Sequence, residues 1–227
     1  MPRRALPGGT LLGLVLLAAC GGAPAARENH DDRVPRRRSV ERYVAMLESP
    51  SRAEWQRPGE LVEALGLRPG MRVADVGTGS GYFLPYLNAA VGPGGRVVAQ
   101  DIDQDLLEVV RRRAEREGLD RVEPRLGTPS DPRLEVARYD LILMVDVYHH
   151  VSDPDAFLSH IVRALAPGGR FVIVDFAPGD HVPEEISGAD HRIERQRVLD
   201  DAARAGLVLV REHRLIRYQF VLELGRP

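Results

Sequence analysis

The sequence predicts an α/β domain built on a doubly wound, mostly parallel sheet of seven strands, with an antiparallel C-terminal hairpin at one edge. Three observations carry this reading. Short apolar runs alternate with helix-compatible segments, the pattern of a parallel sheet covered by helices on both faces. Residues 73–83 (VADVGTGSGYF) join an apolar run to a helix through glycines at alternate positions, Gly77, Gly79 and Gly81. The last two apolar runs, 207–212 and 215–224, are separated by a link around His213 and Arg214 that is too short for a crossover.

Taken in order, residues 1–20 read as a signal segment. Arg3 and Arg4 give it a positive start, and residues 11–19 are apolar but too few to span a bilayer comfortably. Residues 21–38, rich in Gly, Ala, Pro, Arg and Asp without apolar periodicity, read as a flexible tether, leaving 39–227 for the folded domain. Ser39 is placed to cap a first helix in which Val40, Tyr43, Val44 and Leu47 recur at helical spacing, broken at 49–51. Trp55, a packing anchor or a ligand contact, precedes a helix at 59–65 that Pro58 helps to start. Gly66 and the Arg68-Pro69-Gly70 turn lead into the strand ahead of the glycine loop, and a helix at 82–91 follows it.

Beyond the turn at 92–95, residues 96–100 (RVVAQ) form a short buried strand ending at Asp101-Ile102-Asp103. A helix at 104–117 buries Leu106, Leu107, Val109 and Val110, and 121–126 is the third strand, followed by a loop at 127–132. Residues 141–147 are strongly apolar and suit a central strand covered on both faces. Asp153-Pro154 opens a helix through Leu165, closed by Ala166-Pro167-Gly168-Gly169, and a strand at 171–174 follows. A polar loop, 177–191, then leads to a helix at 193–205 that Gly206 ends.

The 227 residues suit one domain of ordinary size plus a tail, and 44% hydrophobic with 28% charged residues excludes a disordered chain. A formal charge of −2 argues for no polyanionic partner. Every one of the 31 basic residues is Arg, a trait of genomic base composition; the triplets at 36–38 and 111–113 read as solvated faces, so no nucleic-acid partner is expected. Cys20 is the single cysteine, which excludes an internal disulfide and a cysteine metal cluster.

In open α/β sheets the ligand binds beyond the carboxyl ends of the strands. That rule gathers residues 75–81, Asp101, the 127–131 loop, residues 146–150 and Asp175. Asp101 ends the strand after the glycine loop, where an acid accepts both hydroxyls of a ribose, while Asp103 fits a helix N-terminus. The spacing G-x-G-x-G departs from the dinucleotide pattern G-x-G-x-x-G, and Asp75 before it is awkward beside a pyrophosphate but suits a cationic amine or sulfonium.

With these motifs assembled, the set VADVGTGSGYF, VVAQDID, YDLILMVDVYHHV and LAPGGRFVIVDF resembles the class I S-adenosylmethionine-dependent methyltransferases, with their Rossmann-like fold, over about residues 52–224. The resemblance implies S-adenosyl-L-methionine as cofactor and a small-molecule methyl acceptor. It assigns Asp75 and Gly77, with Thr78, to the methionine end, Gly79 and Gly81 to close backbone approach, Asp101 to the ribose and Ile102 to the adenine. Gly127 and Thr128 would border the adenine; many members carry an acid where Thr128 stands, so Ser130 or Asp131 would have to supply that recognition. Asp146, His149 and His150 would face the transferred methyl, with one histidine as base where the acceptor must lose a proton. The other reading of both histidines is a structural one, capping the strand–helix junction. His181, His191 and Tyr218 fall on the acceptor side. A divalent ion held by Asp146, one of the two histidines and Asp175 would resemble catechol-type methyltransferases, but no compact ligand motif is present and no metal is expected.

Leu17-Ala18-Ala19-Cys20-Gly21 in turn resembles the lipobox of bacterial lipoproteins, which implies acylation of Cys20, a membrane partner through that anchor and a place in the cell envelope. Export sits uneasily with a cytoplasmic cofactor, so a non-catalytic envelope lipoprotein binding a nucleoside-like ligand is the alternative to an enzyme. A nicotinamide-dependent oxidoreductase is disfavoured by the glycine spacing.

Overall fold

The structure is a computed structural model that describes residues 37–179 and 182–227. The signal segment, Cys20, nearly all of the tether and His181 lie outside those residues. Seven strands form one sheet in the order β3-β2-β1-β4-β5-β7-β6. They are β1 (Arg72–Val76), β2 (Arg96–Asp101), β3 (Val122–Leu126), β4 (Tyr139–Val145), β5 (Leu165–Phe176), β6 (Val208–His213) and β7 (Gln219–Gly225). β1 to β5 run parallel; β7 pairs antiparallel with both β5 and β6, which is the expected edge hairpin. The strand order steps outward one way from β1 and the other way from β4, and this switch point puts the ends of the two parallel strands side by side.

Helices cover both faces. Along β4, Ile142 and Met144 join a cluster with Phe157, Ile161 and Val198 from α6 (Pro154–Ala164) and α7 (Arg195–Arg204). Leu141, Leu143 and Val145 point the other way, toward Leu61 of α3 (Pro58–Ala64), Leu87 of α4 (Leu84–Val91) and Val110 of α5 (Gln104–Glu117). The apolar run from Leu141 to Val145 is therefore buried on both sides of the pleat.

Several boundaries differ from the sequence reading, each for a local reason. The first helix, α1, spans Arg37–Leu47, so Ser39 lies inside it rather than at its cap, and the helix takes in Arg37 and Arg38 from the expected tether. Trp55 is not in a loop: a further short helix, α2 (Arg52–Gln56), carries it and stops at Arg57, which is left-handed at φ 50. The Ala166–Gly169 segment does not simply close α6. β5 already begins at Leu165, and Pro167-Gly168-Gly169 form an irregularity across which the register jumps from Tyr139–Leu165 to Leu141–Arg170. Leu215–Tyr218 precede β7 instead of belonging to it. Two 3-10 turns, Tyr148–His150 and Ala189–His191, were not anticipated. The Arg111–Arg113 triplet lies on α5 and pairs with Glu108, Glu117 and Glu48.

Candidate active site

The glycine loop leaves β1 and folds back on β2: Gly77 and Thr78 both donate their N–H to the Gln100 carbonyl, at 2.9 Å each. Gly77 has φ +71, and a Cβ there would come within 2.5 Å of Val147, so the position is closed to any side chain. Asp75, at the end of β1, is 3% exposed and accepts a 2.7 Å hydrogen bond from Thr78 Oγ1. Burial pushes its carboxyl up to about 6, against the lowering effect of that hydrogen bond. Thr78 therefore acts on Asp75 directly.

Asp101 ends β2 as expected. Its Oδ2 accepts from Gly79 N at 2.8 Å and its Oδ1 from Asp103 N at 3.0 Å, and the Ile102 backbone adds a further bond, which together fix the carboxylate against the glycine loop. Burial raises its pKa, with the backbone bonds opposing. Asp103 caps α5, accepting from Asp105 N at 2.8 Å. Ile102 is 43% exposed beside them. Gly127 donates to the Asp101 carbonyl at 2.9 Å, and a Cβ on it would collide with Gln100 Nε2 at 2.4 Å. Thr128 and Asp131 bond to each other across the next turn, and Asp131 Oδ1 also accepts from Arg133 N at 2.7 Å. The same Asp131 oxygen lies 3.4 Å from His160 Nδ1.

Asp146 stands where β4 gives way to the 3-10 turn, in a left-handed conformation at φ 58 that a non-glycine residue adopts only under constraint. Residues far away in sequence supply that constraint. Arg52 lies 3.4 Å from its Oδ2, Gln56 Nε2 donates to the same oxygen at 3.1 Å, and Gln219 Nε2 donates to Oδ1. Burial raises the Asp146 carboxyl to about 6, with Arg52 opposing and Asp175 reinforcing the shift. Arg52 also donates to Gln56 Oε1 at 2.6 Å and to the Leu47 carbonyl at 2.7 Å, and its guanidinium lies 4.4 Å from the Tyr82 ring centroid. This arginine binds α1, α2, the glycine loop and β4 together. Above it, α1 covers the loop: a Cβ on Gly79 would touch Leu47 Cδ1 at 2.9 Å. The Tyr43 phenol has its pKa raised by burial and then by the negative charge of Asp101.

The two histidines of the VDVYHH segment lie on the 3-10 turn that follows Asp146. Asp175, fully buried in β5, lies 2.8 Å from His149 Nδ1 and accepts from His149 N at 3.1 Å. His149 Nε2 in turn lies 3.2 Å from Nδ1 of His191. The His150 ring is 4.0 Å from that of His149 and 5.2 Å from that of His191, centroid to centroid. Tyr148, buried beneath, donates to Asp201 at 3.1 Å and pins the turn to α7. Asp175 hydrogen-bonds with His149, while the Asp146 carboxylate is held by Arg52, Gln56 and Gln219 and feels the charges of both Asp175 and His149. Trp55 packs on Phe176 at 5.7 Å and, with Ile186, Leu215 and Tyr218, also lines a cavity of about 470 Å³.

Arg52, Gln56 and Gln219 carried no motif, and only their contacts reveal them. Tyr43 and Leu47 were legible as helix positions but not as the cover of the loop.

A parallel sheet with a glycine loop at its switch point, flanked by acids at the ends of β1, β2 and β4, defines a nucleoside-type cofactor cleft. Comparison with known proteins gives the family. Residues 67–204 match the methyltransferase-domain family model. Among curated proteins the chain is 34% identical over 138 residues to the demethylmenaquinone methyltransferase of Symbiobacterium thermophilum, covering 60% of this chain and 55% of that protein. It is 30% identical over 128 residues to a ubiquinone/menaquinone biosynthesis C-methyltransferase of a Shewanella species, covering 56% and 50%. The chain thus spans about half the length of these relatives. Among solved structures, a SAM-dependent methyltransferase from Aquifex aeolicus superposes with a TM-score of 0.74 at 28% identity, over 82% of this chain and 97% of that one. The chain belongs to the methyltransferase-domain family, and the cofactor that goes with this membership is S-adenosylmethionine.

Proposed function

We propose that the protein transfers a methyl group from S-adenosylmethionine to a small or membrane-proximal acceptor. One observation carries the reading: Asp75, Asp101 and Asp146, from the ends of β1, β2 and β4, surround a glycine loop with no room for side chains at Gly77. The residues suit the cofactor. Asp101 is fixed and retains acceptor capacity for ribose hydroxyls, the exposed Ile102 offers an apolar face for the adenine, and Asp75 with Thr78 offers a buried anion for the methionine end. When bound, the cofactor supplies an electrophilic methyl on a sulfonium. Methyl transfer by in-line displacement asks the protein mainly for positioning. Asp146, oriented by Arg52, Gln56 and Gln219, is assigned to the methyl-facing side. His149, whose Nδ1 is engaged by Asp175, and its neighbour His150 are the proton acceptors if the acceptor atom carries a proton.

The cavity beside Trp55 and Tyr218 supports an acceptor with a flat apolar part, and the names of the curated relatives make a quinone the first acceptor class to try. Cys20 is the proposed lipid attachment point, which would hold the domain at a membrane of the cell envelope. The support is the order of charged, apolar and small residues before it.

Calorimetry of the full chain with S-adenosylmethionine and with NAD tests the cofactor, followed by turnover on an acceptor panel that includes demethylated quinones. Micromolar binding of the sulfonium cofactor alone, with turnover, is expected. Failure to bind it overturns the proposal, and binding without turnover on any acceptor points to a binding protein. Cys20→Ala should move the protein from the membrane to the soluble fraction, and retention in the membrane would refute the anchor.

A further inference from the structure

We propose that His149, His150 and His191 form a binding site for a divalent transition-metal ion of the zinc type, with Asp175 orienting His149 from behind. The inference stands on the histidine geometry and does not require methyl transfer, although a bound ion would take the imidazoles that the proposed function gives to proton transfer, His149 and His150.

One nitrogen from each of the three imidazoles lies within 4.8 Å of the other two. Imidazole is the commonest ligand for ions of this class. Two nitrogens bound tetrahedrally at about 2.0–2.1 Å are separated by about 3.3 Å. The His149 Nε2 to His191 Nδ1 distance is 3.2 Å, already at that separation. A pairwise hydrogen bond between two neutral rings also gives such a distance, but it does not require a third imidazole to converge on the same point. His150 and His191 are exposed, so an ion from solvent reaches the point about which the three nitrogens gather.

The surroundings are those of a built site. Asp175 is fully buried and accepts from the His149 backbone at 3.1 Å and from Phe176 N at 2.9 Å, so its carboxylate is held in place. With Asp175 as acceptor, His149 Nδ1 carries the proton and Nε2 presents a lone pair, which is the carboxylate–histidine–metal arrangement. His191 is also placed by its neighbours. Arg192 donates to the carbonyls of Gly179 at 2.9 Å and Val182 at 3.0 Å, and Ile193 N donates to Phe176 at 2.8 Å, which docks this segment on the end of β5. Three protein ligands on a partly exposed rim leave a coordination position open for water or another oxygen, nitrogen or sulfur donor. Sequence spacing gave no hint, because His191 lies 42 positions from His149.

The test uses the untagged full chain carrying Cys20→Ser, so that no thiol competes, stripped with a chelator. Zinc is titrated against a chromogenic competitor, and cobalt is titrated by visible absorption. Expected are one zinc per chain, a four- or five-coordinate cobalt spectrum without thiolate bands, and at least a tenfold loss of affinity in both His191→Ala and His150→Ala. His160→Ala, away from the cluster beside Asp131, should bind zinc unchanged. S-adenosylmethionine binding and thermal melting of the same samples separate loss of the metal from loss of the fold or of the cofactor site. Absence of stoichiometric zinc binding to the Cys20→Ser chain, or a zinc affinity left unchanged by either His191→Ala or His150→Ala in that chain, overturns the proposal.

Discussion

At the residue scale, Asp101 and Asp146 are carboxylates of two kinds. Asp101 is tied to backbone N–H groups of its own neighbourhood, Gly79 and Asp103, and so was readable from the sequence: an acid closing a strand next to a glycine loop has few other places to go. Asp101→Ala should weaken S-adenosylmethionine binding by roughly 1.5–3 kcal/mol, through lost charge-assisted hydrogen bonds to the ribose. Calorimetry measures this, and an unchanged affinity contradicts the ribose assignment. Asp146 was readable as the end of a strand, but its partners were not. Arg52, Gln56 and Gln219 lie 94, 90 and 73 positions away, and no local spacing encodes contacts that only the closed sheet creates. Gly77 makes a third case. Its positive φ and the proximity of Val147 mean that Gly77→Ala combines backbone strain with a clash, so a loss of roughly 2–4 kcal/mol in unfolding free energy is expected from denaturant melts.

At the scale of elements, strand alternation and helix periodicity made the sheet legible, including the antiparallel pairing of β6 with β7. The irregularity in β5 and the short α2 were hidden, because Pro167-Gly168-Gly169 resembles a turn and a helix of five residues has too little periodicity to register. Arg52 ties α1 and α2 to the rest of the domain through polar contacts. Its hydrogen bonds reach the Leu47 carbonyl, Gln56 and Asp146, and its guanidinium stacks on Tyr82. Arg52→Ala leaves Asp146 without its cation and should destabilise the chain by about 3–5 kcal/mol. Limited proteolysis should then cut first within residues 37–57, and cleavage unchanged from wild type would show that α1 is held by other means.

At the scale of the whole molecule, two acids, each raised chiefly by its own burial, impose a pH dependence on the fold. Asp75 and Asp146 are raised from 3.8 to about 6. Between those values the folded chain binds more protons than the unfolded one, so their contribution to stability falls as pH rises from 3.8 to about 6. A shift of this size corresponds to roughly 3 kcal/mol for Asp75. Asp75→Asn should therefore gain in melting temperature relative to wild type as pH rises through that window; a difference that stays constant with pH would contradict the shift. A cationic ligand would favour the ionised acids, so cofactor binding should release protons near pH 6. The position of α1 also bears on time. Leu47 closes over Gly79, and Tyr43 lies by Asp101, so under the proposed activity a nucleoside seated on the loop dissociates only when that helix lifts. Turnover would then be paced by escape of the spent cofactor rather than by chemistry, visible as a rapid first methylation followed by a slower steady rate. A Leu47→Ala chain should show a smaller difference between the two phases.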